Sequence, residues 1–315
     1  MISRRSVIAG VGASVAVGHW GARGAPVETI TLGFQKTGIP LVARELRVFE
    51  RRFEPKGIKV NWAEFTSGLN LLQAMDVGSV SFGNAGNVGC IFVQAAGGRI
   101  VYLAAQPSGA KSEGILVKQA SPIRTLADLK GRRVGYAKGS SSHNLLAAAL
   151  EQKGLSLTDV TSVGLGAADG AFAFENGSID AWVIWDPYMG IAQARSATRV
   201  LAYSGDVIAD NAGFLLANAA FAASHPALVR DLVEGSAEAG AWAKAHRDEV
   251  TAALAQATGI EASVLAEVNA RAGFDVVPLS EPILASQQTT ADRLTRLGVV
   301  PKPVPVREIV WQPPA

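Results

Sequence analysis

The chain has 315 residues, 49% hydrophobic and 18% charged, which fits a globular α/β protein long enough for two lobes and excludes a disordered or fibrous chain. A formal net charge of +2 implies no polyanion partner such as nucleic acid. The lone cysteine, Cys90, excludes an internal disulfide, and four scattered histidines offer no metal-ligand spacing, so neither a metal nor a cofactor is expected.

Residues 1–24 stand apart. Arg4 and Arg5 precede an apolar run of mostly small residues from 7 to 17, and Gly21-Ala22-Arg23-Gly24-Ala25-Pro26 follows. That is the basic region, apolar region and cleavage zone of an export signal. The paired arginines resemble a twin-arginine signal, although Val7-Ile8 stands where Phe-Leu is usual. The apolar run is too short for a membrane anchor, and no cysteine lies near the cleavage zone to carry a lipid. A soluble, exported, periplasmic protein starting near Ala25 is expected.

Beyond that point strands and helices alternate. Residues 29–34 read as a strand, 40–53 as a helix and 59–65 as a strand. Thr66-Ser67-Gly68 then opens a helix through Leu72 and Met75. Residues 79–83 read as a short strand, 84–89 as a loop, 90–96 as a helix and 99–105 as a strand. The pattern restarts with strands at 114–117, 133–137, 162–166, 180–185 and 199–203, interleaved with helices. A strand at 213–217 follows, then helices at 220–245, 247–257 and 287–297, and an extended Pro-rich tail. This alternation predicts βαβ units with largely parallel sheets. The expected organisation is a first lobe at 25–113, a second at 114–211 and a return to the first at 212–315. Two crossings near Glu113-Gly114 and 211–213 would act as the hinge of a cleft.

The run K-G-S-S-S-H-N-L-L from Lys138 places three serines where a strand gives way to a helix. First-turn amides lack intrahelical partners and the helix dipole is positive there, so Ser140, Ser141 and their neighbours suit a small oxyanion. His143 reads equally well as a satisfied surface group or as a donor to that anion. Other strand-to-helix turns carry Gln35, Ser67-Gly68, Asn84-Ala85-Gly86 and Trp185-Asp186. Asp186-Pro187 reads chiefly as a helix cap followed by a first-turn proline. Of the two tryptophans in D-A-W-V-I-W-D-P-Y, Trp182 belongs in the core and Trp185 at the cleft. No nucleophile elbow or Gly-rich phosphate fingerprint follows a strand.

Several runs, taken in order, resemble the periplasmic aliphatic-sulfonate-binding proteins of ABC importers. They are G-F-Q-K from Gly33, L-L-Q-A-M-D-V-G-S-V-S-F-G from Leu71, I-F-V-Q-A-A-G-G from Ile91 and S-P-I-R-T-L-A-D-L-K-G from Ser121. K-G-S-S-S-H-N-L-L from Lys138, F-E-N-G-S-I-D-A-W-V-I-W-D-P-Y from Phe174 and I-V-W-Q-P from Ile309 complete the set. The resemblance implies a two-lobe (type II) periplasmic-binding fold that closes on an organic sulfonate or a related sulfur oxyanion such as a sulfate ester. A membrane permease would be its partner, and the protein would be a monomer. A sulfonate has three acceptor oxygens and no donor, so Gln35, Ser140, Ser141 and His143 suit its head, and Trp185 and Phe214 its tail. The run from Asn84 to Cys90 departs from the family's usual aromatic-Thr-Gly-Asp, which predicts a ligand other than taurine. An enzyme on the same fold, or a sensor feeding a membrane receptor, is the alternative.

Overall fold

Ten strands and twelve helices follow one another along residues 27–313, the part of the chain that the computed structural model describes. The export-signal reading of residues 1–24 lies outside the described residues. The first stretch comprises β1 (Thr29–Phe34), α1 (Ile39–Glu45), α2 (Val48–Phe53), β2 (Lys59–Glu64), α3 (Gly68–Asp76), β3 (Phe82–Gly86), α4 (Asn87–Ala95) and β4 (Ile100–Pro107). The second comprises β5 (Glu113–Lys118), β6 (Arg133–Tyr136), α5 (Ser141–Glu151), β7 (Thr161–Gly164), α6 (Ala167–Glu175), β8 (Ala181–Trp185), α7 (Tyr188–Arg195) and β9 (Thr198–Tyr203). The third comprises β10 (Ala212–Asn218) and the helices α8 (Ala219–Ser224), α9 (Pro226–Ala245), α10 (Arg247–Thr258), α11 (Ala262–Arg271) and α12 (Glu281–Arg296).

The strands form two five-stranded sheets, β2-β1-β3-β10-β4 and β7-β6-β8-β5-β9. In each, the strand that arrives from the other lobe runs against its neighbours. β10 is antiparallel to β3 and β4, and β5 is antiparallel to β8 and β9. The remaining central pairings, β1 with β2 and β3, and β6 with β7 and β8, are parallel. Each sheet is therefore covered by helices on both faces, as parallel strands require. Phe49, Phe53 and Leu232 lie in the apolar layer on one face of the first sheet, and Leu71, Met75 and Ile91 in that on the other. In the second sheet Leu145 and Leu150 fill one layer, and Phe174, Trp182 and Met189 the other. Trp182 is a core residue, as its strand position predicts.

Local chemistry explains where the elements differ from the pattern in the sequence. The helix expected at 40–53 is two helices, because Arg47 takes a left-handed conformation (φ 53°) between them. The helix expected at 220–245 breaks at His225, since Pro226 has no N–H to donate and disfavours helical geometry in the residue before it. β3 lies later than its apolar pattern suggests, at 82–86, and α4 starts at Asn87 instead of residue 90. Pairing of Gly83, Asn84, Ala85 and Gly86 with β10 draws those small residues into the sheet. Residues 84–86 are thus strand, not loop.

Two chain crossings join the lobes, and further contacts tie them, among them α4 against α5. On one side Arg293 and Arg296 of α12 pair with Glu151 of α5 at 2.8 and 2.6 Å, and Arg293 Nη1 donates to Asn144 Oδ1 at 2.8 Å. On the other, α11 packs on α7, with Val264 and Val268 so close to Gly190 that a Cβ there would meet Val268 at 2.9 Å. Among the described residues no helix is long and apolar enough to cross a membrane.

Candidate ligand-binding cleft

The parallel strands of both sheets end facing one cavity of about 740 Å³, in the range of small-molecule sites. Gln35, Ser67, Gly68, Asn84, Ala85, Gly86, Ser140, Ser141, Trp185 and Asp186 all line it. Five helices of eight residues or more begin at its wall. Their N-caps are Ser67 for α3, Gly86 for α4, Ser140 for α5, Gly166 for α6 and Pro187 for α7. Of these caps only Ser67 uses its side chain, accepting from Asn70 N at 3.4 Å. Glycine and proline have no side-chain oxygen to offer, so the N-cap residues of α4, α6 and α7 cap nothing; Asn87 Oδ1 takes the Val88 amide at 2.8 Å and Asp186 Oδ1 the Gly190 amide at 3.1 Å, and the other opening amides of these helices have no side-chain acceptor. Their dipoles make the cavity wall positive.

The serine run does not cap α5 either. Ser140 Oγ donates to Ala137 O at 2.7 Å and lies 2.7 Å from Ser142 Oγ, which accepts from Ala137 N at 3.3 Å. Ser140 and Ser142 thereby close the turn, which explains why more than one hydroxyl stands there. Ser141 alone turns toward the first lobe: a Cβ added to Gly86 would lie 3.8 Å from its Oγ. Gly139 at φ +74° makes this turn possible, and a side chain there would also strike Leu69.

Two predicted site residues are not on the cavity wall. His143 is 4% exposed, with its ring 4.8 Å from that of Tyr136, and burial with Lys138 nearby pushes it down to about 4. It is neutral at physiological pH and faces the core of the second lobe. Phe214 is 1% exposed and packs edge-on against Tyr102 at 4.7 Å, inside the first lobe. The reason is the alternation of β10, whose Gly213 faces the cavity while Phe214 points away. Asp186 keeps its expected capping role in part. Helix α7 starts at Tyr188, one residue later than expected, yet Asp186 Oδ1 accepts from the first-turn amide of Gly190 at 3.1 Å, and the carboxylate also accepts two bonds from Arg271, Nε at 3.0 Å and Nη2 at 2.9 Å. Burial pushes its carboxyl up, and Arg271 and the Gly190 amide oppose that.

The amide side chains make a chain of their own. Gln35 Nε2 donates to Asn84 O at 3.5 Å, and Asn84 Nδ2 donates to Gln106 Oε1 at 3.2 Å, which leaves Asn84 Oδ1 buried without a partner. Exchanging oxygen and nitrogen in both amides keeps the Asn84–Gln106 bond and turns that orphan atom into an N–H donor. Asn87 reaches across to the second crossing, donating to Asn211 Oδ1 at 2.9 Å.

Glu113 was not legible as a site residue, nor was Arg271 as the partner that holds the cavity-lining Asp186. Glu113 opens β5, and because that strand enters its sheet antiparallel its first residue sits at the cleft. Its carboxylate accepts from Ser141 Oγ at 2.8 Å, and burial pushes it up to about 7. Cys90 is buried and pushed up to about 12, so it is a thiol, not a nucleophile. Among the described residues no cluster of three or more His, Cys, Asp or Glu is fit to hold a metal.

Residues 52–250 match the model of the NMT1/THI5-like family. The periplasmic aliphatic sulfonate-binding protein of Escherichia coli superposes with a TM-score of 0.84 at 38% identity, covering 92% of this chain and 94% of that one. The alkanesulfonate-binding protein of Xanthomonas axonopodis pv. citri, solved with MOPS, gives 0.86 at 35%, covering 91% and 99%. The taurine-binding periplasmic protein of E. coli is more distant, 29% identical over 186 residues, 58% of this chain and 53% of that protein. With the two-lobe α/β architecture and its cleft in place, the chain belongs to the NMT1/THI5-like family.

Proposed function

We propose that this chain is the periplasmic substrate-binding component of an ABC importer, and that it captures an organic sulfonate or a related sulfur oxyanion such as a sulfate ester. The observation that carries the reading is the convergence of five helix N-termini on one cavity, four of them without a side-chain bond from the N-cap residue. Such a wall supplies N–H donors to a permanent anion. Ser140, Ser141, Ser67, Gly68, Gly86 and Gln35 surround the head group, and Trp185 covers the organic tail. Relatives at 38% and 35% identity are themselves sulfonate-binding proteins, which favours binding over catalysis. The partners are the ligand and a membrane permease, and the protein acts as an exported monomer.

The ligand differs from taurine. The small, amide-rich run from Asn84 to Cys90 offers neither the hydroxyl nor the carboxylate common at that place among sulfonate binders. Thermal-shift titration tests the reading: amine-free alkanesulfonates raise the melting temperature, whereas taurine does so weakly. Strong stabilisation by taurine alone overturns the ligand choice, and turnover of a bound sulfonate by the pure protein overturns the binding-only role.

A further inference from the structure

A carboxylate beside an oxyanion site is costly. Glu113 is 4% exposed, and its Oε1 lies 2.8 Å from Ser141 Oγ, one of the hydroxyls at the start of α5. While Glu113 is ionised, the Ser141 proton is committed to it, and the serine can show a ligand only lone pairs. A sulfonate in the same corner would then face a like charge in a poorly solvated pocket.

The surroundings do not relieve that charge. Lys111, in the crossing, lies over the Tyr203 ring of β9. β8 carries no titratable side chain, and Asp186 just after it is engaged by Arg271. From α5, His143 is neutral, with Lys138 before it. From α7, Tyr188 is pushed up by burial and by Glu64 across the cleft. The Ser141 hydroxyl is the one group whose bond favours the ionised form of Glu113, and burial outweighs it.

We infer that Glu113 is the proton-carrying partner of Ser141: capture of a sulfonate takes up one proton from solvent onto the Glu113 carboxylate and frees the Ser141 hydroxyl to donate to the ligand. The balance is simple. Ionised protein, sulfonate anion and one proton give a complex in which Glu113 is neutral and donates to Ser141 Oγ, while Ser141 Oγ–H points at the sulfonate. Glu113 is a positioning residue that sets which way the serine donates. The inference rests on the sulfonate reading above. An apo carboxyl at about 7 places the transition within reach of ordinary solution pH.

The probe is hexanesulfonate, which has no titratable group of its own near neutral pH. Added to the full protein in weakly buffered solution at about pH 8, it is expected to raise the pH by close to one proton per ligand bound. In imidazole and Tris buffers, Kd is expected to rise toward about tenfold per pH unit above the carboxyl's titration. Glu113→Gln, whose amide donates to Ser141 permanently, binds with an affinity that no longer varies with pH and takes up no proton. Saturable binding without proton uptake overturns the inference and leaves the sulfonate reading standing. So does proton release, which would mean that the ligand drives Glu113 toward its ionised form. A pH slope that survives in Glu113→Gln also overturns it. If neither hexanesulfonate nor any other alkanesulfonate binds at any pH, the sulfonate reading itself falls and this inference falls with it.

Discussion

Asp186 and Arg271 bind one another across the lobes through two parallel bonds of 2.9 and 3.0 Å, with both side chains largely buried. Arg271 ends α11 and Asp186 follows β8, so the pair fastens the C-terminal helices to the second lobe. α12 fastens the opposite side through Glu151.

Breaking the pair from one side leaves a buried charge. Arg271→Met is expected to cost on the order of 3–5 kcal/mol in urea unfolding and to speed ligand release. Asp186→Asn combined with Arg271→Met should recover most of that loss, because no charge is then stranded. A double variant that loses the sum of the two single losses would show that the pair is not coupled.

Gly86 caps α4 at φ −70° and ψ 164°, a conformation open to any residue, and its missing side chain leaves the gap toward Ser141. Gly86→Val therefore fills ligand space without straining the backbone. The expected result is a Kd raised about tenfold to a hundredfold, equivalent to about 1.4–2.8 kcal/mol, with little change in melting temperature. Equal affinity in calorimetric titration would move the oxyanion away from this corner.

Acid stability depends on two buried groups with opposite signs. His143 is depressed from 6.5 to about 4, so the unfolded chain binds its proton first as pH falls. Its contribution is complete above about 6.5 and is lost on the way down to about 4, on the order of 3 kcal/mol in all. Glu113 is raised from 4.5 to about 7, so its contribution is complete below 4.5 and is lost as pH rises to about 7. The magnitude is again on the order of 3 kcal/mol. Between about pH 4.5 and 6.5 the two slopes oppose each other. Denaturant unfolding across that window should show stability falling with rising pH in His143→Phe and rising with pH in Glu113→Gln. Parallel profiles in the two variants would refute the assignment.

These groups also mark what the sequence discloses. The two-lobe α/β architecture was legible because strand runs and helix starts recur in a familiar order, and the cleft loops were legible because ligands gather at the ends of parallel strands. His143 was half legible: α5 is buried at every position from Ser142 to Leu150, so packing from all sides covers the histidine in spite of its polarity. Phe214 follows from the two-residue repeat of β10 once Gly213 is placed at the cavity, but nothing local shows which of the two faces in. Glu113 and Arg271 owe their sites to tertiary facts, an antiparallel strand entry and a helix that returns across the lobe boundary. No window of neighbouring residues contains either. The segment 84–86 misled for a related reason, since its place in the sheet comes from β10, far along the chain.

Trp185 ends β8 half-buried at the cavity, its ring set perpendicular to Tyr188 at 6.1 Å. An aromatic wall held in that way takes up apolar tails without specifying their shape. Across a series of linear alkanesulfonates, each added methylene that reaches the ring should improve binding by up to about 0.8 kcal/mol, until the tail leaves the cavity. In Trp185→Ala the series should flatten while the affinity for methanesulfonate, which has almost no tail, stays near the wild-type value. The two slopes separate tail from head. If methanesulfonate weakens as much as hexanesulfonate does, Trp185 contacts the head group or holds the cleft in shape, and the tail lies elsewhere.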